Sequence, residues 1–353
     1  MFQKILAEYN LNLNDISVIE FGTGLINNTW KISSRNDNRN YLLQRINHSI
    51  FKRPDYIAHN IRIISDYLIQ NDPGYLFISP LKTSKGQDLI HDESGYFRLF
   101  PFLESSHSID VVSSPSQAYE ASKQFSLFTK LLSRFDISLL KTTLKDFHNL
   151  SLRYEQFKTA LQNGNKERIK NSKGIILFLK ENYSIVEIYE KIKNDPDFKL
   201  RVTHHDTKIS NVLFNNMEKA LCIIDLDTVM PGYFISDVGD MMRTYLCPVS
   251  EEEVDISKII VRDEYFEAIA KGYLSNMNSE LSSAEIDQFV YAGKFMVYMQ
   301  ALRFLTDYLN NDIYYLTRYP TQNLNRANNQ VELLKKIIEK ESLYTTIVKR
   351  FTS

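Results

Sequence analysis

The chain has little cysteine, no excess of either charge and no long apolar run, and each shortage closes off a class of answers. Two cysteines in 353 residues, Cys222 and Cys247, cannot build a disulfide framework, and neither belongs to a C-x-x-C pair. Both are expected as inert core residues in a reducing compartment, the cytoplasm. The 42 basic residues stand against 43 acidic ones, a formal net charge of -1, which offers no electrostatic reason to expect nucleic acid or a membrane surface as partner. No run of about 18 apolar residues is present to cross a bilayer. The N-terminal segment lacks the apolar core of a secretion signal, and no repeat of about 20 to 50 residues suggests a solenoid.

What is present is a change of period along the chain. Residues 16–47 carry strand-like runs ("ISVIEF", "TWKIS", "YLLQRIN") separated by "GTGLINN" and the Asn- and Asp-rich turn "SRNDNRN". Residues 54–70 place Ile57, Ile61, Ile64 and Leu68 at helical spacing behind Pro54, a favoured first helical residue. "GYLFISPL" and "GYFRLFPFL" predict further strands. Beyond residue 115 the spacing is helical, with the Lys-rich stretch "NGNKERIKNSKG" reading as a solvated loop between helices. Ala118, Ala121, Phe125, Phe128 and Leu132 share one face, residues 171–193 predict a second helix, residues 285–309 a buried one, and "NQVELLKKIIEKE" a closing surface helix. The expected architecture is α+β: a small antiparallel-sheet lobe over 1–100 and a larger helical lobe over 101–353, with a ligand cleft between them.

The chemistry concentrates in two stretches. "THHDTKISNVLF" gathers His204, His205, Asp206, Lys208 and Asn211, and "LCIIDLDTVMPGYFISDVGD" follows a predicted hairpin with Asp225, Asp227, Asp237 and Asp240. H-x-D-x-x-x-x-N followed by a strand and Asp is the order used by phosphotransferases of the protein-kinase fold. An amide oxygen on Asn211 and a carboxylate on Asp225 suit a hard Mg²⁺ ion. Asp206 is placed to orient a hydroxyl and accept its proton, and Lys208 to balance phosphoryl charge. Gly22 and Gly24 allow backbone approach to phosphates, and Arg45, one strand later, supplies a guanidinium for them. The competing zinc reading has no third ligand at suitable spacing, so His204 is expected to be scaffolding. Asp237 and Asp240 are expected to tie the loop down, while Arg303 is open to two roles, pocket residue or ion-pair partner of Asp307.

These motifs resemble the aminoglycoside phosphotransferase and choline kinase superfamily. More narrowly, "YLLQRIN", "TLKDFHNLSLRYEQF", "IDLDTVMPG" and "LRFLTDYLNNDIYY" are similar to N-acetylhexosamine 1-kinases, over residues 16 to 335. The resemblance implies a protein-kinase-like two-lobe fold, ATP and Mg²⁺ as cofactors, and transfer to the anomeric hydroxyl of N-acetylglucosamine or N-acetylgalactosamine by a monomer or weak homodimer. It implies Asp206 as base in contact with substrate, Asn211 and Asp225 as metal ligands, and Asp227, Tyr245, Arg303 and Tyr314 as sugar contacts. The segment Phe100, Pro101, Phe102 and Leu103 would meet adenine. The helix after Arg45 carries His59 where the family has a Glu for the basic residue, leaving Asp55 or Asp66 as substitutes, and His205 stands where relatives often have Gly or Asn, with no role assigned to it. The alternatives are a kinase of the same superfamily acting on another alcohol (a different sugar, homoserine, choline or an aminoglycoside) and a nucleotide-binding protein that has lost catalysis.

Overall fold

The computed structural model describes residues 2–22 and 26–352. It divides into two compact units, one made of Met1–Ser108, Arg134–Lys145 and Val212–Pro231, the other of Ile109–Ser133, Asp146–Asn211 and Gly232–Ser353.

The first unit is built on an antiparallel sheet of β1 (Ile16–Glu20), β2 (Asn28–Ser34), β3 (Arg39–Ile46), β4 (Ile90–Asp92) and β5 (Gly95–Pro101), in the order β1-β2-β3-β5-β4. Alternation along the strands decides which residues meet. Ile32, Tyr41, Leu43, Phe97 and Leu99 bury one face with Ile5 and Leu6 of the N-terminal helix. Gln44 pairs with Arg98 across β3 and β5, and Arg45 with Phe97, so neighbouring residues of one strand serve opposite faces.

The Pro54–Asn71 helix buries Ile57, Ile61, Ile64 and Leu68 as its spacing predicts. It also buries Asn60, whose Nδ2 donates to the carbonyls of Lys141 and Val229 and whose Oδ1 accepts the Lys141 N–H. That one amide fastens the two returning segments of the chain to this unit. A hairpin of Val212–Asn215 and Ala220–Ile223 pairs Val212 with Ile223, as the sequence predicts.

The second unit is helical. Its Phe289–Leu309 helix is buried nearly all round, and Pro115–Leu131 buries the predicted Ala118, Ala121, Phe125 and Phe128. The Phe234–Tyr245 helix approaches Phe289–Leu309 through paired glycines. A Cβ on Gly239 would lie 2.3 Å from the Ala292 carbonyl oxygen, and one on Gly293 would lie 2.7 Å from Met242 Sδ.

Four sequence expectations fail here. "GYLFISPL" is no strand: Leu81 donates one bond to the Leu99 carbonyl, the Pro80 carbonyl is taken by Arg62, and β4 occupies the edge instead. The helix expected over 171–193 breaks into Lys173–Glu181 and Ser184–Asn194, where Asn182 turns its side-chain amide back onto the Phe178 carbonyl. The stretch "NGNKERIKNSKG", which reads as a solvated loop, holds the helix Lys166–Asn171. The closing helix is Glu341–Lys349, one further than predicted. No helix among the described residues is long and apolar enough to cross a membrane.

Candidate active site

The stretch His204–Asn211 begins where the short strand Arg201–Thr203 ends. Its shape is held by the helix that follows Gly232. The backbone N–H groups of His204 and His205 donate to the two carboxylate oxygens of Asp237 at 3.0 and 2.7 Å. The Thr207 N–H donates to Asp240 Oδ2 at 2.9 Å, and the Thr207 hydroxyl to the Asp237 carbonyl. Burial pushes the Asp237 carboxyl up to about 7, against the pull of those two N–H donors. Asp237 and Asp240 are thus the ties that the sequence predicts, placed on the first turns of a helix that packs through Gly239.

Both histidines are scaffolding of different kinds. His204 is fully buried, its ring edge-on to Phe125, and its Nδ1 accepts the Asp206 N–H. His205 has a φ of 67°, a left-handed conformation uncommon in a non-glycine residue. Its Nδ1–H donates to the Thr203 carbonyl, and its ring lies where a Cβ on residue 232 would fall, 2.4 Å from Nε2. Gly232 leaves room for that ring, and the ring stands 5.3 Å from His148. The role that the sequence left open for His205 is therefore to turn the chain sharply just before Asp206.

Asp206 is partly exposed, with Lys208 Nζ 3.1 Å from Oδ1. The Asp206 charge raises the Lys208 pKa. Asn211 Nδ2 donates to the Asp206 carbonyl at 2.8 Å, so the amide oxygen is the atom left to act as a ligand or acceptor. Asp225 is exposed and left-handed as well, at φ 59°. An amide oxygen and a carboxylate are donors that Mg²⁺ accepts. The described residues contain no group of three His, Cys, Asp or Glu placed to hold a metal, so the zinc reading finds no support in the described residues.

Tyr245 differs from its expected place among sugar contacts. It is fully buried, and its hydroxyl donates to the Thr207 carbonyl at 2.5 Å, which makes it a brace under the loop. Tyr245→Phe is expected to lower stability by about 1 kcal/mol and to reduce kcat while moving the acceptor KM less than about 2-fold. A large rise in KM at unchanged kcat would return Tyr245 to the pocket.

Arg303 and Tyr314 do stand together. With Arg153, Gln156 and Tyr315 they line a pocket of about 220 Å³. Asp307 is not the partner of Arg303. Its carboxylate accepts the N–H groups of Tyr314 and Tyr315 and the Asn323 amide, and Arg303 instead donates to Gln300 beside the Tyr315 ring. Burial, then the charge of Arg303, lowers the Arg153 pKa. Tyr314 is 71% exposed, presenting a ring at the rim.

In the first unit Gly22 has φ +84° with open space around its absent side chain, as a loop that approaches a ligand needs; Gly24 lies outside the described residues. The segment Phe100–Leu103 leaves β5 with the Phe102 N–H donated to the Asn40 carbonyl and the Leu103 carbonyl accepting from Ser106. Lys31 stands over the Phe102 ring, whose edge meets Phe21.

Arg45 is engaged within its own sheet. It belongs to the sheet face of Phe97, its stem passes over Gly95, and its guanidinium donates to Asn28 Oδ1. Asp55 pairs with Arg53 and Asp66 with Arg62, so neither substitutes for the missing helix Glu, and His59 meets the Leu139 carbonyl. Asp227 is instead buried against Arg98, Nη2 to Oδ1 2.5 Å, with each side chain 2% exposed. Arg98 belongs to none of the sequence motifs, although it is the lone charge inside "GYFRLFPFL".

A family model described as "Phosphotransferase enzyme family" matches residues 17–274. Among solved structures the chain is similar to a microcompartment-associated aminopropanol kinase at 13% identity and TM-score 0.67, covering 97% of each chain. It is similar also to a spectinomycin phosphotransferase solved with ADP and spectinomycin (13% identity, TM-score 0.59, 96% and 97% covered). A choline kinase from Cryptosporidium parvum matches at 14% identity and TM-score 0.55, with 97% and 95% covered. At these identities the solved structures speak for the fold, which is protein-kinase-like.

Proposed function

The chain belongs to the phosphotransferase enzyme family, and from that premise we propose that it moves the γ-phosphoryl group of ATP to the anomeric hydroxyl of an N-acetylhexosamine. Asp206 orients that hydroxyl and takes its proton, and Lys208 lies close enough to steady the charge that passes between them. Asn211 and Asp225 would hold Mg²⁺, which when bound neutralises phosphate charge. The Gly22 loop and the backbone of residues 100–103 are assigned to the nucleotide.

The observation that supports a neutral sugar over a cationic alcohol is the charge of the acceptor pocket. Arg153 and Arg303 line it, and its one carboxylate, Asp307, is already engaged by two backbone N–H groups and an amide. A quaternary ammonium or an aminoglycoside would meet the like charge of two arginines, with the one carboxylate of the pocket already engaged. A sugar offers hydroxyls and an acetamido carbonyl to the arginines and an apolar ring face to Tyr314.

The test is ADP release on addition of N-acetylglucosamine, N-acetylgalactosamine, glucose, homoserine, choline and an aminoglycoside in turn. The expected result is turnover with the N-acetylated sugars, with kcat/KM at least about 100-fold above that for choline and the aminoglycoside. Turnover confined to the cationic alcohols would contradict the pocket assignment, and ADP release that no acceptor stimulates would favour a protein that has lost catalysis.

A further inference from the structure

We infer that Arg98, held in place by Asp227 and Gln44, is the strand-borne cation that meets the phosphates of the nucleotide, in the role that the sequence pattern assigns to Arg45. The inference rests on the kinase reading above and concerns only how this chain fills one of its parts.

Three observations carry it. The first is the pleat. Leu43, Phe97 and Leu99 point into the apolar core, and Arg45 shares their face, whereas Gln44 and Arg98 occupy the other. The second is what gathers on that other face. Arg98 Nε and Nη2 both donate to Gln44 Oε1, Nη2 reaches Asp227 Oδ1, and the guanidinium stands 5.0 Å from the Phe100 ring. Asp227 Oδ2 accepts from the amide of Asn27, and Asn27 Oδ1 accepts the Asn47 N–H. The Asp227 carboxylate, two residues after Asp225, therefore joins Arg98 to Asn27, the residue just before β2. Phe100, the first residue of the proposed adenine segment, is two positions along the same strand face.

The third is an incomplete shell. Arg98 is 2% exposed, and its Nη1 has no hydrogen-bond partner among the described residues. A guanidinium presents five N–H donors in a fixed plane. A buried donor left without an acceptor is costly to keep unless a ligand supplies one. Phosphate oxygens are the acceptors that a planar fork fits. Asp227 then does for Arg98 what a helix Glu does for the strand cation elsewhere in this fold, which accounts for His59 at the position where that Glu is missing.

The experiment is calorimetric titration of the full chain with ADP and, separately, with adenosine, for the unaltered protein, Arg98→Met, Arg98→Met with Asp227→Asn, and Arg45→Met. The double variant removes both buried charges, so it keeps the test informative if Arg98→Met alone leaves Asp227 unpaired and unfolds. The expected result is ADP affinity lowered about 10-fold or more in both Arg98 variants, with adenosine affinity within about 2-fold. Unchanged ADP affinity in a folded Arg98 variant, or the same loss in Arg45→Met alone, overturns the inference while leaving the kinase reading intact. An unaltered protein that binds neither ADP nor adenosine overturns the kinase reading itself.

Discussion

Asp206→Asn is expected to lower kcat by about 10³-fold or more while changing ADP affinity less than about 2-fold. The substitution keeps the size of the side chain. It also keeps what surrounds it, since the loop is held through backbone groups: the Asp206 carbonyl accepts from Asn211, and His204, His205 and Thr207 donate to Asp237 and Asp240. What is lost is the carboxylate's ability to take a proton. Lys208 loses its nearest anion at the same time and with it the main cause of its raised pKa. Parallel measurement of single-turnover rate and ADP titration checks this. A variant that retains kcat within about 10-fold would remove Asp206 from the role of base.

Gly239→Ala is expected to disturb both stability and turnover, more than Gly293→Ala in the facing helix. By helix propensity alone alanine would gain up to about 1 kcal/mol over glycine. At residue 239 the added carbon would meet the Ala292 carbonyl oxygen at 2.3 Å and Met296 Cβ at 2.9 Å, neither of which can swing away. Overpacking of this kind costs about 1–3 kcal/mol, so the steric term outweighs the propensity gain. At residue 293 the neighbour is the Met242 thioether, which can re-pack. The helix pushed outward by Gly239→Ala is the one carrying Asp237 and Asp240, so the His204–Asn211 loop tied to them moves with it. Thermal denaturation and kcat for the two variants test this, and a Gly239→Ala protein as stable and active as Gly293→Ala would contradict it.

The two glycines also show how far the sequence could be read. Many strand and helix periods are plain because one face of the element is apolar, and the Val212–Ile223 hairpin follows from two short runs around a turn. Asp206, Asn211 and Asp225 stand out in the sequence because kinase chemistry prescribes residue types at fixed spacing, and of these the structure joins Asn211 to the Asp206 carbonyl. Close approach of two helices through glycines leaves no such mark, since a glycine in a helix looks the same whether or not a carbonyl sits against it. Returning segments are equally silent. Residues 134–145 and 212–231 belong with the N-terminal unit through contacts such as those of Asn60, an amide that reads as an ordinary polar position on the helix.

That Arg98 and not Arg45 stands against Asp227 has a different cause. Both lie in predicted strands, and a pattern match in the sequence ignores a shift of one residue. In a strand that shift reverses the face, and only the register shows it. Tyr245 was placed in the pocket because a motif matched, whereas its burial and its bond to Thr207 were outside the reach of any spacing rule. Arg303 had two readings of equal standing. They separate only once the backbone N–H groups of Tyr314 and Tyr315 are seen to take Asp307 away from it.

Transfer to the anomeric hydroxyl is tested by phosphorus and proton NMR of the product formed from ATP and N-acetylglucosamine. A phosphate coupled to the anomeric proton, the signature of a sugar 1-phosphate, is the expected result. A phosphate on the C6 oxygen, or no phosphorylated sugar at all, would contradict it.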